Sequence, residues 1–184
     1  YLLLDGEEIG GERIDAERYL RVAQTFFKMV VERHTYVTGG NSEWEHFGAD
    51  YVLDAERTNC NCETCNVYNM LKLARLLFCV TGEKRYTDYY DNAFTNSILS
   101  SQNPETGMTT YFQPMAGGFF KVFSRPFDQF WCCTGSGMES FTKAGDSVAY
   151  HDKNGLWIEQ YLSADVLCNG MGLEMQADYP WNDT

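Results

Sequence analysis

Apolar residues recur at three- and four-residue intervals in several stretches of this chain, which is the spacing of amphipathic helices. One stretch predicts a helix from Asp15, a residue type favoured at helix N-caps, to about His34, where β-branched residues follow. A second helix is predicted over residues 63–80, with Gly82 as its terminator, and a third over residues 84–100. The short connection between the last two predicts antiparallel neighbours.

The pattern changes after residue 100. Residues 108–115 and 118–123 predict two short strands or extended segments, and the adjacent cysteines that follow are expected in a loop. A helical pattern returns over residues 137–150, and alternation over residues 156–167 predicts a strand. The sequence therefore predicts a mainly α chain whose last strand opens a β-rich region.

Composition indicates a globular protein and narrows its partners. The 184 residues are 44% hydrophobic and 15% aromatic, and most aromatic side chains are expected to fill helix interfaces. The formal net charge of −12, without a basic stripe, argues against nucleic acid as a partner. No apolar run approaches the roughly 20 residues of a membrane helix, so no membrane segment is predicted in this stretch.

The two ends of the chain indicate a fragment of a longer protein. The chain begins at Tyr1 without an initiator methionine, its first apolar run is too short for a signal peptide, and it stops abruptly at Thr184. The compartment is therefore left open, with a bacterial cytoplasm or periplasm expected.

Seven cysteines supply the first candidate chemistry. They cluster at residues 60–65 and 132–133, which favours a metal site or a reactive thiol over a disulfide framework. Thiolates beside a carboxylate suit zinc, and Glu63 and Cys65 lie at a predicted helix N-terminus, which favours anionic side chains. The spacing alone leaves structural zinc, a catalytic thiolate and inert thiols open, and Cys79 is expected in the core.

A long loop over residues 39–62 carries the acid–base candidates. A carboxylic acid that donates a proton near neutral pH needs a raised pKa, and Trp44 and Phe47 flank Glu45 with apolar surface. Glu43 is the second candidate in the same loop. A solvated loop glutamate without a catalytic role is the competing interpretation of either residue.

The chain contains three distinctive motifs: Tyr-Val-Thr-Gly-Gly-Asn-Ser-Glu-Trp-Glu-His-Phe at residues 36–47, Glu-Thr-Cys at 63–65 and Cys-Cys-Thr-Gly-Ser-Gly-Met-Glu at 132–139. In order and separation they resemble the motifs of the β-L-arabinofuranosidases of glycoside hydrolase families 127 and 146, long grouped as a domain of unknown function. The resemblance covers roughly residues 15–165 and implies a catalytic (α/α)6 barrel followed by β-sandwich domains. Residues 1–152 would be the C-terminal part of that barrel, and residues 153–184 the start of the β-rich domain.

The resemblance also implies a zinc site. Members of these families hold the ion with one glutamate and three cysteines, which by motif position are Glu63, Cys65, Cys132 and Cys133. Cys60 and Cys62 are additional to that set, and whether either contributes to the metal site is left open.

The implied reaction is hydrolysis with retention, which releases L-arabinose from a β-L-arabinofuranoside in an arabinose-containing oligosaccharide or glycan. Cys132, the first cysteine of the adjacent pair, would be the zinc-bound nucleophile, and Glu45 the general acid/base, with Glu43 as the fallback. Tyr111 resembles a substrate-contacting tyrosine, and Glu63 would also touch a sugar hydroxyl.

Two other functions stay open at this point. One is a non-catalytic protein in which zinc is structural, and the other is an α/α-barrel hydrolase that acts on a different plant or bacterial glycan. Residues 134–137 read Thr-Gly-Ser-Gly where the best-studied type carries prolines, which points toward the family 146 side or toward another subgroup of the clan. The linkage cleaved and the oligomeric state are not determined by the sequence.

Overall fold

The computed structural model describes residues 8–9, 12–168 and 170–176. Tertiary contacts divide the chain into two compact units, Tyr1–Met138 and Glu139–Thr184. The first unit contains an antiparallel strand pair, β1 (Glu8–Ile9) and β2 (Glu12–Arg13), and the helices α1 (Ala16–Arg33), α2 (Thr64–Thr81) and α3 (Arg85–Ala93). Helix α4 (Cys132–Thr142) begins in the first unit and ends in the second.

Helix α1 confirms the first predicted helix. Asp15 caps it, because its side chain accepts a hydrogen bond from the Arg18 backbone N–H at 2.9 Å. On its buried face, Phe27 packs edge-on against Tyr86 and Tyr89 of α3, with ring centroids 4.9 and 5.3 Å apart. These aromatic contacts bring α1 against α3 in the core of the first unit.

Helices α2 and α3 confirm the next two predictions. Helix α2 ends at Gly82, whose φ of 67° is the left-handed conformation of a helix cap that favours glycine. Helix α3 continues without a break into a π-helical turn (Phe94–Ile98) and a 3-10 turn (Leu99–Ser101). The buried side of α2 includes Val67, Leu71, Ala74 and Leu77.

Residues 108–115 and 118–123 were predicted as short strands or extended segments, and the structure places no strand in either stretch. Within the described part of the chain, this region forms only isolated β-bridges. Its backbone groups bind other elements: the Tyr111 carbonyl accepts the Thr64 N–H of α2 at 3.0 Å, and the Gln113 N–H donates to the Asn61 carbonyl at 2.7 Å. Each residue has one backbone N–H donor and one carbonyl acceptor. Because these groups already bond to the start of α2 and to the loop at Asn61, they are not available to pair with a neighbouring strand.

Helix α4 corrects the prediction for the cysteine pair. The pair was expected in a loop, with a helix over residues 137–150, but α4 begins at Cys132 and stops before residue 143. The Trp131 N–H donates to Thr134 Oγ1 at 3.3 Å, and the Thr134 N–H donates to the Trp131 carbonyl at 3.0 Å. The bond from the Trp131 N–H to the Thr134 side chain is one of the two bonds of a capping box. It starts the helix at Cys132, where the hydrophobic pattern does not predict a helix start.

The described residues of the second unit form two hairpins. After a 3-10 turn (Ala144–Ser147), β3 (Ala149–His151) pairs with β4 (Leu156–Ile158), and β5 (Ala164–Cys168) pairs with β6 (Met171–Met175). The strand predicted over residues 156–167 is therefore two short strands in different hairpins. The expected β-rich character of the end of the chain is seen only as these hairpins, and the boundary after residue 152 stays a prediction.

The described residues form a helix-rich chain with four α-helices and three two-stranded sheets, which agrees with the mainly α prediction. The (α/α)6 barrel and the β-sandwich stay predictions. Among the helices that the structure describes, none combines the length and apolarity needed to cross a bilayer.

Candidate metal and catalytic site

Four predicted ligands converge at the N-termini of two helices. Glu63 immediately precedes α2, Cys65 is in its first turn, and Cys132 and Cys133 are the first two residues of α4. One ligand atom from each of the four lies within 4.8 Å of every other. The positive ends of two helix dipoles therefore point toward a group of side chains that are anionic when they bind a metal.

Two of the three distances from Cys133 to the other ligand atoms match a tetrahedral metal site, and the third is shorter. Cys133 Sγ lies 3.3 Å from Cys65 Sγ, 3.9 Å from Cys132 Sγ and 3.8 Å from Glu63 Oε1. A metal–sulfur bond of about 2.3 Å in a tetrahedral site places neighbouring sulfurs about 3.8 Å apart. A disulfide would instead require about 2 Å, and all three cysteines are free thiols.

Burial disfavours the anionic forms of three of these side chains, and a nearby positive charge would favour them. Burial raises the pKa of the Cys133 thiol and of the Cys65 thiol above their ordinary values. It also raises the pKa of the Glu63 carboxyl, to which the nearby Glu45 charge contributes. A cation bound among these donors would favour their anionic forms and so offset the effect of burial on Cys65, Cys133 and Glu63. The group can therefore hold a metal ion.

Ser136 joins this cluster, and sequence reasoning missed it. Its hydroxyl lies 3.1 Å from Cys65 Sγ and 3.4 Å from the Cys132 carbonyl. The signal that could have located it is its position one helical turn after Cys132, but that requires α4 to start at the cysteine pair. Ser136 links the first turn of α2 to the first turn of α4.

The two adjacent cysteines differ in access. Cys133 is fully buried, whereas the Cys132 side chain is exposed. Cys132 Sγ lies 3.4 Å from the Tyr111 hydroxyl, to which it donates. A substrate in solution can therefore reach the sulfur of Cys132, whereas Cys133 serves only the interior of the cluster.

The structure brings Glu45 and Cys132 to the same tyrosine. The Tyr111 hydroxyl donates a hydrogen bond to Glu45 Oε1 while it contacts Cys132 Sγ. The hydrogen bonds with Cys132 and Glu45, with a contribution from burial, raise the pKa of the Tyr111 phenol. Tyr111 therefore stays protonated and bridges the predicted acid/base and the predicted nucleophile.

Glu43 has a different environment from Glu45. Its two carboxylate oxygens accept the backbone N–H groups of Ala55 and Glu56, each at 2.9 Å. Its backbone also bridges to Asn61 across the loop. Glu43 therefore holds the loop together, whereas the exposed Glu45 carboxylate faces the thiol cluster through Tyr111.

The apolar surroundings expected around Glu45 are not formed by the residues named for them. Trp44 Nε1 donates to Glu56 at 3.0 Å, and the Phe47 ring packs against Phe26 and His34. Glu45 itself is exposed. Its setting is defined by Tyr111 instead of by an apolar pocket.

The remaining cysteines lie outside the candidate metal group. Among the described residues, the group contains neither Cys60 nor Cys62. Cys62 is buried against Gly40, where a Cβ would lie 2.6 Å from Cys62 Sγ, and burial raises the pKa of this thiol to about 12. The prediction that Cys79 is a core residue is wrong: it lies on the exposed side of α2, next to the buried Phe78.

Buried amides anchor the loop that carries Glu45. The Asn41 side chain donates to the Tyr89 hydroxyl at 3.1 Å, and the Asn61 side chain donates to the Tyr36 hydroxyl at 3.1 Å. Both asparagines are fully buried. No sequence signal marks these anchors, because asparagine in a Gly-rich loop is ordinarily a turn residue.

Two clefts border the cluster. The first, here called the aromatic cleft, has a volume of about 290 Å³ and is lined by Asn59, Thr110, Tyr111, Phe112, Phe120, Val122 and Trp131. The second, called the α2 cleft, has about 300 Å³ and is lined by Phe26, Phe47, Glu63, Cys65, Asn66, Asn69, Met70 and Leu73. Tyr111 belongs to the first cleft and the metal-group residues Glu63 and Cys65 belong to the second.

Family comparison identifies the class of protein. Residues 10–146 match the family described as the β-L-arabinofuranosidase GH127 catalytic domain. This match covers most of the chain, so the chain belongs to that family, whose members are glycosidases. The resemblance inferred from the three sequence motifs is confirmed.

Solved structures support the same fold. A GH127 β-L-arabinofuranosidase from Geobacillus stearothermophilus matches 90% of this chain with a TM-score of 0.71 and 18% identity. The GH127 β-arabinofuranosidase BT3674 matches 90% with a TM-score of 0.75 and 21% identity, and a structure described as a glycoside hydrolase matches 84% with 0.69 and 18%. The chain spans 28%, 27% and 30% of those three chains, respectively. No curated protein matches the chain.

Proposed function

We propose that the protein containing this chain is a retaining glycoside hydrolase that releases L-arabinose from β-L-arabinofuranosides. The observation that carries the proposal is the bridge from Glu45 through the Tyr111 hydroxyl to Cys132, beside a group of one glutamate and three cysteines. Both reacting groups lie within hydrogen-bond reach of one phenol oxygen. This is compatible with the roughly 5 Å that separates the two reacting groups of retaining glycosidases.

Zinc is the metal best suited to the donor set, because it accepts thiolate and carboxylate ligands in a tetrahedral arrangement. Glu63, Cys65, Cys132 and Cys133 would hold it. When bound, the ion supplies the positive charge that keeps these thiols deprotonated near neutral pH. The raised pKa values of the half-buried Cys65 and the buried Cys133 are the reason that such a charge would be needed.

In the first half of the proposed reaction, the Cys132 thiolate attacks the anomeric carbon of the arabinofuranosyl unit. The bond from that carbon to the leaving oxygen breaks, and Glu45 gives the oxygen its proton. The Tyr111 hydroxyl orients the Glu45 carboxylate through the hydrogen bond that it donates. Because Cys132 is exposed and Cys133 is buried, Cys132 is the cysteine that can attack.

In the second half, the Glu45 carboxylate accepts a proton from water as the water oxygen attacks the anomeric carbon. The carbon–sulfur bond breaks, Cys132 leaves as a thiolate, and L-arabinose departs with its configuration retained by two successive inversions. Glu63 is proposed to touch a sugar hydroxyl as well as the metal, because it lines the α2 cleft beside Cys65. Tyr111 is proposed to contact the substrate as well as Glu45.

The substrate is proposed to be an arabinose-containing oligosaccharide or glycan. The fold of the whole protein is proposed to be an (α/α)6 barrel with β-sandwich domains, of which residues 1–152 and 153–184 are the adjoining parts. This proposal rests on the family match and on the share of the longer GH127 structures that this chain spans.

The test compares wild type, Cys132→Ala, Glu45→Gln and Glu43→Gln in the full-length protein, with an aryl β-L-arabinofuranoside as substrate and bound zinc measured in each. Cys132→Ala is expected to abolish L-arabinose release, and Glu45→Gln to slow it by about 10²- to 10⁴-fold, the usual contribution of general acid–base catalysis. Glu43→Gln is the matched control and should retain turnover, since its carboxylate binds backbone N–H groups of the loop.

Two results would contradict the proposal. Full activity in Glu45→Gln would remove this residue from the acid/base role. If the wild-type protein binds zinc but releases no L-arabinose, two interpretations would remain: a protein with a structural metal, or a hydrolase that acts on another glycan.

A further inference from the structure

We infer that Gln113 is a positioning residue of the proposed hydrolase. Its buried amide joins the segment that carries Tyr111 to the π-helical turn of α3, against which the loop that carries Glu45 also packs. This inference rests on the proposed function, because it concerns the bridge from Glu45 through Tyr111 to Cys132. The described hydrogen bonds of the Gln113 side chain go to α3 and the 3-10 turn that follows it, so its influence on the reaction passes through the placement of Tyr111.

The Gln113 side chain is 2% exposed, and both ends of its amide are bonded. Nε2 donates to the Ser97 carbonyl, in the π-helical turn, at 2.7 Å and lies 3.2 Å from the Ser97 hydroxyl oxygen. Oε1 accepts the Ser100 hydroxyl at 2.6 Å. Turning the amide over would set its oxygen against the Ser97 carbonyl and leave a buried acceptor unpaired. The side chain therefore has one orientation and fixes the distance from its own backbone to α3.

The loop of the proposed acid/base residue packs on the same stretch of α3. A Cβ on Gly39 would lie 2.6 Å from Ala93 Cα, and a Cβ on Gly40 would lie 3.1 Å from Ser97 Oγ. The Tyr89 hydroxyl, one helical turn before Ala93, donates to the Gly39 carbonyl at 3.0 Å. The start of the loop is therefore held close to the residue that Gln113 binds, at a separation that requires glycine.

The backbone around Gln113 makes a separate set of bonds, to the start of α2. The Gln113 N–H donates to the Asn61 carbonyl at 2.7 Å, and the Tyr111 carbonyl accepts the Thr64 N–H at 3.0 Å. Asn61 and Thr64 flank the predicted ligand Glu63. Because these bonds use backbone groups, they remain available when the Gln113 side chain is replaced. Replacement of that side chain therefore separates the attachment to α3 from the attachment to the metal group.

The Tyr111 hydroxyl contacts Glu45 and Cys132 at the same time, so its position is constrained on both sides. Without the Gln113 amide, the backbone would still hold Tyr111 to the start of α2, but the side-chain link to α3 would be lost. The contact between Tyr111 and Glu45 is then the one that loosens. The resulting defect cannot exceed the defect caused by removing the Tyr111 hydroxyl itself.

The test is a double-mutant cycle in the full-length protein, with release of L-arabinose from an aryl β-L-arabinofuranoside as the assay. Gln113→Met keeps the approximate side-chain volume without the amide, and it is measured alone and together with Tyr111→Phe. Gln160→Met is the matched control. Gln160 is also 2% exposed but belongs to the second unit, and its amide has no hydrogen-bond partner in the described part of the chain. Zinc content and thermal unfolding are measured on every variant.

Gln113→Met is expected to lower kcat about tenfold, with KM and zinc content close to the wild-type values, because a small misplacement away from the reacting atoms is enough for such a loss. In the Tyr111→Phe background the same change should alter kcat by less than about twofold, since the hydroxyl that Gln113 positions is already absent. Gln160→Met should leave kcat unchanged in both backgrounds.

An equal fall of kcat in both backgrounds would overturn the positioning role and leave Gln113 as a packing residue, while the hydrolase stands. An unchanged kcat in Gln113→Met would overturn it as well. If Gln113→Met does not fold, Ser100→Ala takes its place in the cycle, because it removes the bond to Gln113 Oε1 at a half-buried position, and the same outcomes decide. A wild type that releases no L-arabinose would overturn the proposed function and this role with it.

Discussion

Replacing Tyr111 with phenylalanine tests the hydroxyl that joins the two proposed reacting groups. The substitution keeps the ring and its packing on Phe112 and Trp131. It removes the hydrogen bond to Glu45 Oε1 and the contact with Cys132 Sγ. The expected result is therefore a catalytic defect without loss of the fold.

The size of the defect follows from the two contacts. A hydrogen bond to a charged partner contributes about 1.5–3 kcal/mol, and the Glu45 contact is of this kind. The sulfur contact at 3.4 Å is weaker and adds little. A loss of about 1.5–3 kcal/mol from the transition state corresponds to a fall of roughly 10- to 150-fold in kcat/KM.

The assay is release of L-arabinose by the full-length protein, with zinc content and thermal unfolding measured on the same preparations. Tyr161→Phe is the matched control, because that tyrosine is 76% exposed and belongs to the second unit. Activity of Tyr111→Phe within twofold of wild type, with zinc retained, would refute the role of the hydroxyl. Loss of zinc together with activity would instead assign Tyr111 to support of the metal group.

Two further predictions concern stability and metal uptake. Gly137→Ala should lower the free energy of unfolding by about 1–3 kcal/mol in denaturant, because the new Cβ would lie 2.8 Å from Thr109 Cγ2. Gly145→Ala is the control and should change the free energy of unfolding little, because no atom lies within 4 Å of its Cβ position. The raised thiol pKa values of Cys65 and Cys133 mean that the metal-free folded state holds protons which the unfolded chain releases above about pH 8.5. Melting temperature in chelator should therefore fall as pH rises through that region, and zinc affinity in a competition titration should rise with pH; a flat melting profile would contradict the burial of these thiols.

The long helices were predictable because their apolar spacing is decided locally. Helix α1, with its Asp15 cap, and helix α2, with its Gly82 terminator, fall within about two residues of their predicted bounds. The region over residues 108–123 was not predictable in the same way, because its hydrogen bonds go to Asn61 and to the start of α2, both distant in sequence. A local pattern carries no information on such partners.

Some features of the candidate site were likewise predictable from the sequence, and others depend on the fold. The motifs select Glu63, Cys65 and the adjacent cysteines, which the fold gathers within 4.8 Å. Glu43 and Glu45 are two residues apart in the same loop, so the sequence alone does not distinguish them. The structure does, because the carboxylate oxygens of Glu43 accept two backbone N–H groups of the loop. The exposure of Cys79 likewise depends on which side of α2 the other helices cover.

The separation of the metal ligands along the chain has a consequence for how the protein is made. Cys65 and Cys133 are 68 residues apart, yet they lie in one cluster. A link that closes a loop of this length removes about 4 kcal/mol of chain entropy from the unfolded state, by the relation used for disulfides. A growing chain on the ribosome cannot complete the cluster until α4 has left the exit tunnel. Capture of the proposed metal ion would therefore follow the synthesis of α4, and it would link two helices that were synthesised at different times.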